Sequence, residues 1–135
     1  MKRLQKVQNA AARLVTKSKK RDHITPVLVS LHWLPVEFRC QYKLLANVYS
    51  ALHGPFPDYL KELIVPYVPA RTLRSQSSDM LTVPKTRTIT YGARCFDHSA
   101  ATLWNELPFN LRKCDSLTLF KSRLKTHLFK RAFDV

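Results

Sequence analysis

The feature that most constrains the fold is an apolar repeat in the first half of the chain. Pro35 suits the first turn of a helix, and Gly54 followed by Pro55 is typical of a helix end. Between them, five side chains recur at alternating steps of four and three residues, which places them on one face of an α-helix. We therefore predict a central core helix from Pro35 to Leu52. The five residues are Phe38, Tyr42, Leu45, Tyr49 and Leu52.

The first segment of the chain has the same kind of periodicity. Leu4, Val7, Ala11 and Leu14 recur at three- and four-residue steps, and the lysines and arginines of the segment lie largely off that stripe. The pattern predicts an amphipathic helix, and an apolar stripe of this kind usually packs against another element. We expect Met1 to be an internal methionine or an arbitrary start, with a helix partner missing upstream.

Two short helices are predicted from proline and capping residues. Thr25 with Pro26 is a good helix start, with Thr as the cap and Pro at the first helical position. Pro57 with Asp58 starts a second brief helix.

Helical patterns return in the last third of the chain. After Gly92, apolar residues resume three- and four-residue steps up to Pro108. A final helix is expected to follow Asp115 or Ser116 as its cap. Its inner face would carry Leu117, Phe120, Leu124 and Leu128.

The segment from Arg71 to Tyr91 has a different character. It is rich in Ser, Thr and β-branched residues and has no helical period. Met80 to Val83 and Thr88 to Tyr91 are expected to pair as a short hairpin across Pro84 to Arg87, or else to stay irregular.

Together these segments predict a mainly α protein. We expect a small helical domain of about five helices with a short irregular or β-hairpin segment near residues 80–91. Residues 1–135 would form a single domain or fragment, because a chain of this length supports one modest core. Its parts are a helical part at 1–69, an irregular or hairpin insertion at 70–92 and a second helical part at 93–135.

The chain is strongly basic. Its 135 residues contain 23 Lys and Arg against 9 Asp and Glu, a formal net charge of +14. A surplus of this size at this length indicates a polyanionic partner, and nucleic acid is the first candidate. Residues 1–43 carry ten basic and two acidic side chains, residues 44–83 three and three, and residues 84–135 ten and four. Two basic ends therefore flank a neutral middle.

Cysteine spacing and hydropathy exclude several classes of protein. Cys40, Cys95 and Cys114 have no CxxC spacing, and an odd, sparse set without a signal peptide indicates free thiols in a reducing compartment. The apolar runs are far shorter than the roughly 20 residues needed to cross a bilayer. We expect no disulfide framework and no membrane span.

A zinc site or a nucleophilic cysteine is also considered. Cys95 with His98 has ligand-like spacing, and Cys114 with His127 would complete a set of four ligands. The intervening 15 and 12 residues match no common zinc finger. No third group is marked to orient a Cys–His pair. We expect no metal site and no cofactor.

With these elements placed, a family resemblance can be stated. The chain resembles, over about residues 4–133 and in order, the C-terminal part of non-LTR (LINE-type) retrotransposon polymerases of the jockey and chicken-repeat groups. The matching phrases are Leu4–Val15 (LQKVQNAAARLV), His23–Leu28 (HITPVL), Leu31–Val36 (LHWLPV), Tyr42–Leu44 (YKL), Leu52–Gly54 (LHG), Pro57–Leu60 (PDYL), Leu73–Ser75 (LRS), Val83–Pro84 (VP), Gly92–Arg94 (GAR), Leu103–Pro108 (LWNELP) and Phe120–Phe129 (FKSRLKTHLF).

The resemblance implies a place within a reverse transcriptase. In that family this stretch follows the fingers and palm and lies in or just beyond the thumb, where helices would grip the primer–template duplex. The polymerase signature, an aromatic residue followed by Ala-Asp-Asp, is absent from the sequence, as are the Asp and Lys motifs that precede it. Phosphoryl transfer by two metal ions requires such carboxylates. We expect no catalytic residue and no enzymatic activity here; the parent protein would be an RNA-directed DNA polymerase.

Two groups of cations are the candidate phosphate contacts. Clustered Lys and Arg release counterions from nucleic acid, and such contacts position the partner without specifying its sequence. The first group is Arg13, Lys17, Lys19, Lys20 and Arg21, and the second is Lys121, Arg123 and Lys125.

Other interpretations of these residues stay open. Residues 17–21 also suit a solvated loop or a nuclear-import signal, and the cations of the last helix also suit its solvent-facing side. Residues 1–21 are basic and contain no acid, which fits a mitochondrial presequence, although the resemblance runs straight through them. Trp33 and Trp104 could stack on bases, but we favour core positions for both.

The sequence thus predicts a noncatalytic C-terminal fragment that contacts primer–template or target nucleic acid through basic helices. One alternative is a structural scaffold that packs on the missing palm, and another is a degenerate open reading frame without function. The expected partners are RNA and/or DNA and the upstream palm, with no membrane and no small-molecule substrate. The expected location is the nucleus and/or the cytoplasm.

Overall fold

The computed structural model of the chain describes residues 1–69, 79–88 and 90–134. Within these residues the fold is mainly α-helical, as predicted. It also contains a four-residue helix, α6, which the sequence patterns did not indicate. The described elements are α1 (Lys2–Thr16), α2 (Ile24–Ser30), α3 (Val36–His53), α4 (Asp58–Lys61), a 3-10 turn (Gly92–Arg94), α5 (Phe96–Asn105), α6 (Phe109–Arg112) and α7 (Leu117–Phe133). None of the helices in the described ranges is long and apolar enough to cross a bilayer.

The two longest helices, α3 and α7, match their predictions. In α3 the predicted stripe supplies buried Leu45 and Tyr49, and Val48 is buried beside them. In α7 the hydroxyl oxygen of Ser116 accepts a hydrogen bond from the Leu119 backbone N–H at 3.3 Å, which is the predicted cap.

The predicted start of α2 is wrong by two residues. Its cap is His23 rather than Thr25, and Ile24 is its first helical residue. Pro26 consequently lies in the first turn. Backbone N–H groups of the first turn have no intrahelical acceptor, so the missing N–H of proline costs no hydrogen bond there.

Helix α1 forms as predicted, but its apolar stripe is exposed. Leu4 is 60% exposed, Val7 67% and Leu14 81%. The buried side chains of α1 are instead Gln8 and Ala12. The stripe therefore lies beside the buried side of the helix and not on it.

Polar contacts explain which side of α1 is buried. The side-chain amide of Gln8 donates to the backbone carbonyl of Leu34 at 2.7 Å. The side-chain oxygen of Gln5 accepts a hydrogen bond from the Val36 N–H at 2.8 Å. That N–H belongs to the first turn of α3 and has no intrahelical partner. Burial of the glutamine side satisfies both backbone groups, and the apolar stripe is left facing solvent.

The described chain divides into two compact units. One consists of Met1–Tyr42 with Leu124–Val135, and the other of Lys43–Arg123. The division of the sequence into three consecutive segments stays a prediction. The first unit contains the buried apolar residues Ala12, Leu28, Leu34, Leu124 and Leu128.

The second unit has an aromatic core. Phe120 stacks on Tyr49, with ring centroids 4.4 Å apart, and lies 5.8 Å from the ring of Trp104. The polar atoms of these rings are satisfied, because the Tyr49 hydroxyl donates to the Cys114 carbonyl at 2.6 Å and the Trp104 indole N–H donates to the Asp79 carbonyl at 2.8 Å. The prediction that Trp104 is a core residue is confirmed.

The segment near residues 80–91 is irregular where it is described. The Tyr67 N–H donates to the Met80 carbonyl at 2.9 Å, and the Thr82 N–H donates to the Val65 carbonyl at 2.8 Å. The first arm of the predicted hairpin therefore pairs with an upstream segment of the chain.

An asparagine fixes this pairing. Leu81, which forms an antiparallel bridge with Pro66, donates its N–H to the Asn105 side-chain oxygen and accepts from the Asn105 side-chain nitrogen, both at 2.8 Å. Both hydrogen-bonding edges of residues 80–82 are therefore occupied. Residues 88–91, the predicted hairpin partner, have no free edge to pair with. Ile89, in that second arm, lies outside the described residues.

Candidate nucleic-acid interface

Helix α1 ends in a turn that presents the first group of predicted cations. Lys17 has a left-handed backbone, with φ 54° and ψ 28°, which is uncommon for a residue other than glycine. The Ser18 N–H donates to the Arg13 carbonyl at 3.1 Å, and the Lys19 N–H donates to an Asp22 carboxylate oxygen at 2.7 Å. These bonds fix the backbone of the basic loop, although its lysine side chains are exposed.

An open groove at this end of α1 brings three of the five cations together. Lys19 and Arg21 are exposed but do not line it. We name it the α1 groove; its lining residues are Ala10, Arg13, Leu14, Lys17, Ser18 and Lys20.

Arg13 is held in place but has an unused donor. One terminal nitrogen of its guanidinium donates to the Asp22 carbonyl at 3.2 Å. Its Nε is buried and has no hydrogen-bond partner in the described part of the chain. A buried donor without an acceptor costs free energy, and the planar guanidinium matches the geometry of phosphate. The bond to the Asp22 carbonyl holds this guanidinium where Arg13 lines the α1 groove.

The predicted cations are not neutralised by carboxylates. Across residues 1–69, 79–88 and 90–134, none of the eight forms a salt bridge within 4.0 Å. The salt bridge that is present joins Lys61 to Asp58 at 3.8 Å, away from both groups in the sequence. The positive charge of the α1 groove is therefore available to an anion.

The second predicted group does not form a single patch. Lys121 and Arg123 are two residues apart in α7, and side chains at that spacing point to different faces of a helix. Lys121 and Lys125 are exposed. Arg123 lines a second open groove, which we name the α6 groove, with Phe109, Asn110, Leu111 and Lys113.

The other residues of the α6 groove were not predicted from the sequence. Phe109 is 42% exposed, and the Lys113 ammonium lies 4.9 Å from the centroid of its ring. The available signal was an aromatic residue followed by Lys at a spacing of four residues. That spacing brings two side chains together only in a helix, and no helix was predicted between Pro108 and Asp115.

Two titratable groups near these elements have shifted pKa values. Burial lowers the pKa of Arg112 from its ordinary value, and Asp79 acts in the opposite direction. Arg112 donates to the Asn105 carbonyl at 3.1 Å, so its role is structural. Burial, and then the charge of Arg131, lower the pKa of His127.

Both grooves carry positive side chains that can contact an anion. The α1 groove offers three cations, and the α6 groove offers two cations, an exposed ring and an amide. In the part of the chain that the structure describes, no three His, Cys, Asp or Glu side chains are grouped so that they could hold a metal ion.

Comparison of the chain with protein-family models, curated proteins and solved structures gives no match. The resemblance to non-LTR retrotransposon polymerases therefore stays a prediction from the sequence.

Proposed function

We propose that this chain is a noncatalytic C-terminal part of a retrotransposon RNA-directed DNA polymerase that contacts primer–template or target nucleic acid through basic side chains. The place within a polymerase comes from the sequence resemblance. The contact with RNA and/or DNA is supported by the net charge of +14 and by the structure at the end of α1.

The observation that carries the proposal is the α1 groove. Arg13, Lys17 and Lys20 line one open groove, and the side chains of Lys17 and Lys20 are exposed. A solvated charge run would spread its side chains without a shared groove. The arrangement favours an anionic ligand over the solvated-loop interpretation.

The mechanism of contact is electrostatic. Each phosphate that a cation neutralises releases condensed counterions, so the logarithm of the affinity falls linearly with the logarithm of the salt concentration. Contacts to phosphate orient a duplex but do not distinguish its sequence. Catalysis would be supplied by carboxylates of an upstream palm.

The nucleus and/or the cytoplasm is the proposed location. All three cysteines are free thiols, with Cys40 and Cys95 exposed and Cys114 buried. Exposed free thiols persist in reducing compartments. A polymerase partner that acts on RNA and DNA fits the same compartments.

The experiment is a binding titration of labelled duplex and single-stranded oligonucleotides at about 50 mM salt, where nonspecific binding is strong. The test variant combines Arg13→Gln, Lys17→Gln and Lys20→Gln. We expect it to bind about a thousandfold more weakly than wild type, because three phosphate contacts are removed.

The matched control removes the same charge from exposed positions elsewhere in the chain. It combines Lys43→Gln, Lys85→Gln and Arg87→Gln, all of them exposed. We expect a much smaller loss of affinity. No detectable binding by wild type, or an equal loss in both variants, would overturn the role of the α1 groove.

A second candidate function is the scaffold that packs on a polymerase palm. The exposed apolar stripe of α1 favours it, because large apolar patches on a surface often mark interaction sites. If the genomic DNA upstream of Met1 encodes a palm in frame, that palm should bind this chain in a pull-down. Replacement of Leu4 and Val7 by Ser should abolish the pull-down and leave nucleic-acid affinity unchanged, because neither residue lines the α1 groove.

A further inference from the structure

The α6 groove combines an exposed aromatic ring with two cations. Phe109 keeps 42% of its surface exposed, and the Lys113 ammonium lies 4.9 Å from its ring centroid. Asn110 and Arg123 line the same groove with exposed side chains. Its volume of about 540 Å³ is in the range of clefts that hold small molecules, roughly 300–1,000 Å³.

Helix α6 presents this ring from a fixed position. Leu111 and Arg112, in the same helix, are buried. The Arg112 guanidinium donates to the Asn105 carbonyl at 3.1 Å and lies 3.0 Å from the Met80 sulfur. The helix is therefore anchored by its other residues, and the Phe109 ring is left at the surface.

Arg123 approaches the groove from α7. Its terminal nitrogen lies 3.9 Å from the sulfur of buried Cys114, a weak contact that leaves most of its donors available. Lys113 is held over the ring by a cation–π contact. Two positive charges thus border the aromatic surface.

We propose that the α6 groove binds one unpaired base of a single-stranded nucleic acid. The base stacks on the face of the Phe109 ring opposite the Lys113 ammonium, the Asn110 amide bonds its edge, and the neighbouring phosphate pairs with Arg123 and Lys113. The inference rests on the proposed function for the class of ligand, and it adds a contact to the base itself.

Charge complementarity and the ring together select this ligand. A duplex offers phosphates but keeps its bases stacked, so it would offer no base to the Phe109 ring. A single strand offers a flat base and a phosphate within one nucleotide, and aromatic stacking beside cations is how many single-strand binders work. RNA and DNA share this chemistry, so both are used as probes.

The test compares oligonucleotides that contain 2-aminopurine with oligonucleotides of the same length that are abasic at that position, as RNA and as DNA. Wild type should quench the 2-aminopurine fluorescence and bind the base-containing strand about fivefold to a hundredfold more tightly than the abasic strand. Phe109→Leu keeps an apolar side chain but removes the ring. It should lose both the quenching and the preference, and Phe109→Trp should keep them.

The control is Tyr59→Leu, which removes an exposed ring outside the groove and should behave as wild type. Thermal melts establish that each variant is folded. If Phe109→Leu keeps the quenching and the preference while wild type binds abasic strands with normal salt dependence, the base site is overturned and the proposed function stands. If wild type binds neither strand, both are overturned. If only the RNA or only the DNA oligonucleotide is quenched, the result supports the site and identifies that nucleic acid as its ligand.

Discussion

Helices α1 and α7 carry apolar residues at the same three- and four-residue steps, but only α7 buries them. Phe120 and Leu124 of α7 are fully buried, whereas Leu4, Val7 and Leu14 of α1 are more than half exposed. The periodicity of a sequence therefore predicts the helix, and the contacts available to the helix decide which of its sides is covered.

The contacts that position the two helices differ in kind. In α7, Phe120 packs into the ring stack with Tyr49. In α1, Gln8 bonds the Leu34 carbonyl across 26 residues of sequence. A polar side chain that completes backbone hydrogen bonds can outweigh an apolar stripe, because a buried carbonyl or N–H without a partner is costly. The side of α1 that carries the apolar stripe is then left exposed.

The largest effect is expected from Phe120→Ala in the buried stripe of α7. The substitution removes the ring that stacks on Tyr49 and contacts Trp104. We expect the free energy of unfolding to fall by about 3–5 kcal/mol, as for other buried aromatic residues. Urea unfolding measures the change. A loss below about 1 kcal/mol would mean that α7 is not a core helix.

A smaller loss is expected from Gln8→Ala on the buried side of α1. The Leu34 carbonyl would lose its side-chain donor. An unsatisfied buried acceptor costs about 1–3 kcal/mol, so unfolding should become easier by that amount. The control Lys6→Ala, on the exposed side of the same helix, should leave the urea midpoint almost unchanged. Equal midpoints for the two variants would contradict the role given to the glutamine.

Features that depend on local interactions could be predicted from the sequence, and features that depend on contacts far along the chain could not. The spacing of Leu45 and Tyr49 predicted α3 because helical periodicity is local. The cations of the α1 groove were all named, but no local pattern separated Arg13, Lys17 and Lys20 from Lys19 and Arg21, because the chain leaves the helix at Lys17. The burial of Gln8, by contrast, depends on a backbone carbonyl far along the chain, which no local pattern contains.

The α6 groove and the pairing of Leu81 could not be predicted from the sequence, for the same reason. The groove requires Phe109 and Arg123 to meet through the fold, and α6 is too short to show a period. The pairing of Leu81 depends on the side chain of Asn105, 24 residues further along the chain. Local β-propensity favoured a partner close in sequence, and the tertiary contact determined another.

The free energy of unfolding should depend on pH through His127 in α7, which distinguishes this helix further from α1. Burial lowers the pKa of His127 below its ordinary value, so protonation favours the unfolded chain. The stability that the neutral His127 imidazole contributes is fully present above a pH of about 6.5. It is lost as the pH falls toward the lowered pKa of the folded state. Unfolding free energies at several pH values between neutral and acidic should decline more steeply for wild type than for His127→Gln. Parallel declines would contradict the burial of this imidazole.

The smallest effect on stability is expected from Leu14→Ala in the exposed stripe of α1. Leu14 is 81% exposed, and alanine is a good helix former. The free energy of unfolding should change by no more than about 0.5 kcal/mol. Thermal melts beside those of Leu45→Ala, which removes a buried leucine, give the contrast. A loss of about 2 kcal/mol or more would mean that the stripe is covered in solution.

The central claim is that the exposed end of α1 contacts phosphates, and the salt dependence of binding tests it most directly. The logarithm of the affinity for duplex DNA should be measured against the logarithm of the salt concentration for wild type and for the combined Arg13→Gln, Lys17→Gln and Lys20→Gln variant. Loss of three phosphate contacts at about 0.9 per phosphate should reduce the magnitude of the slope by about 2 to 3. The Lys43, Lys85 and Arg87 control should reduce it by less than about 1. Identical slopes for wild type and the α1-groove variant would contradict the account.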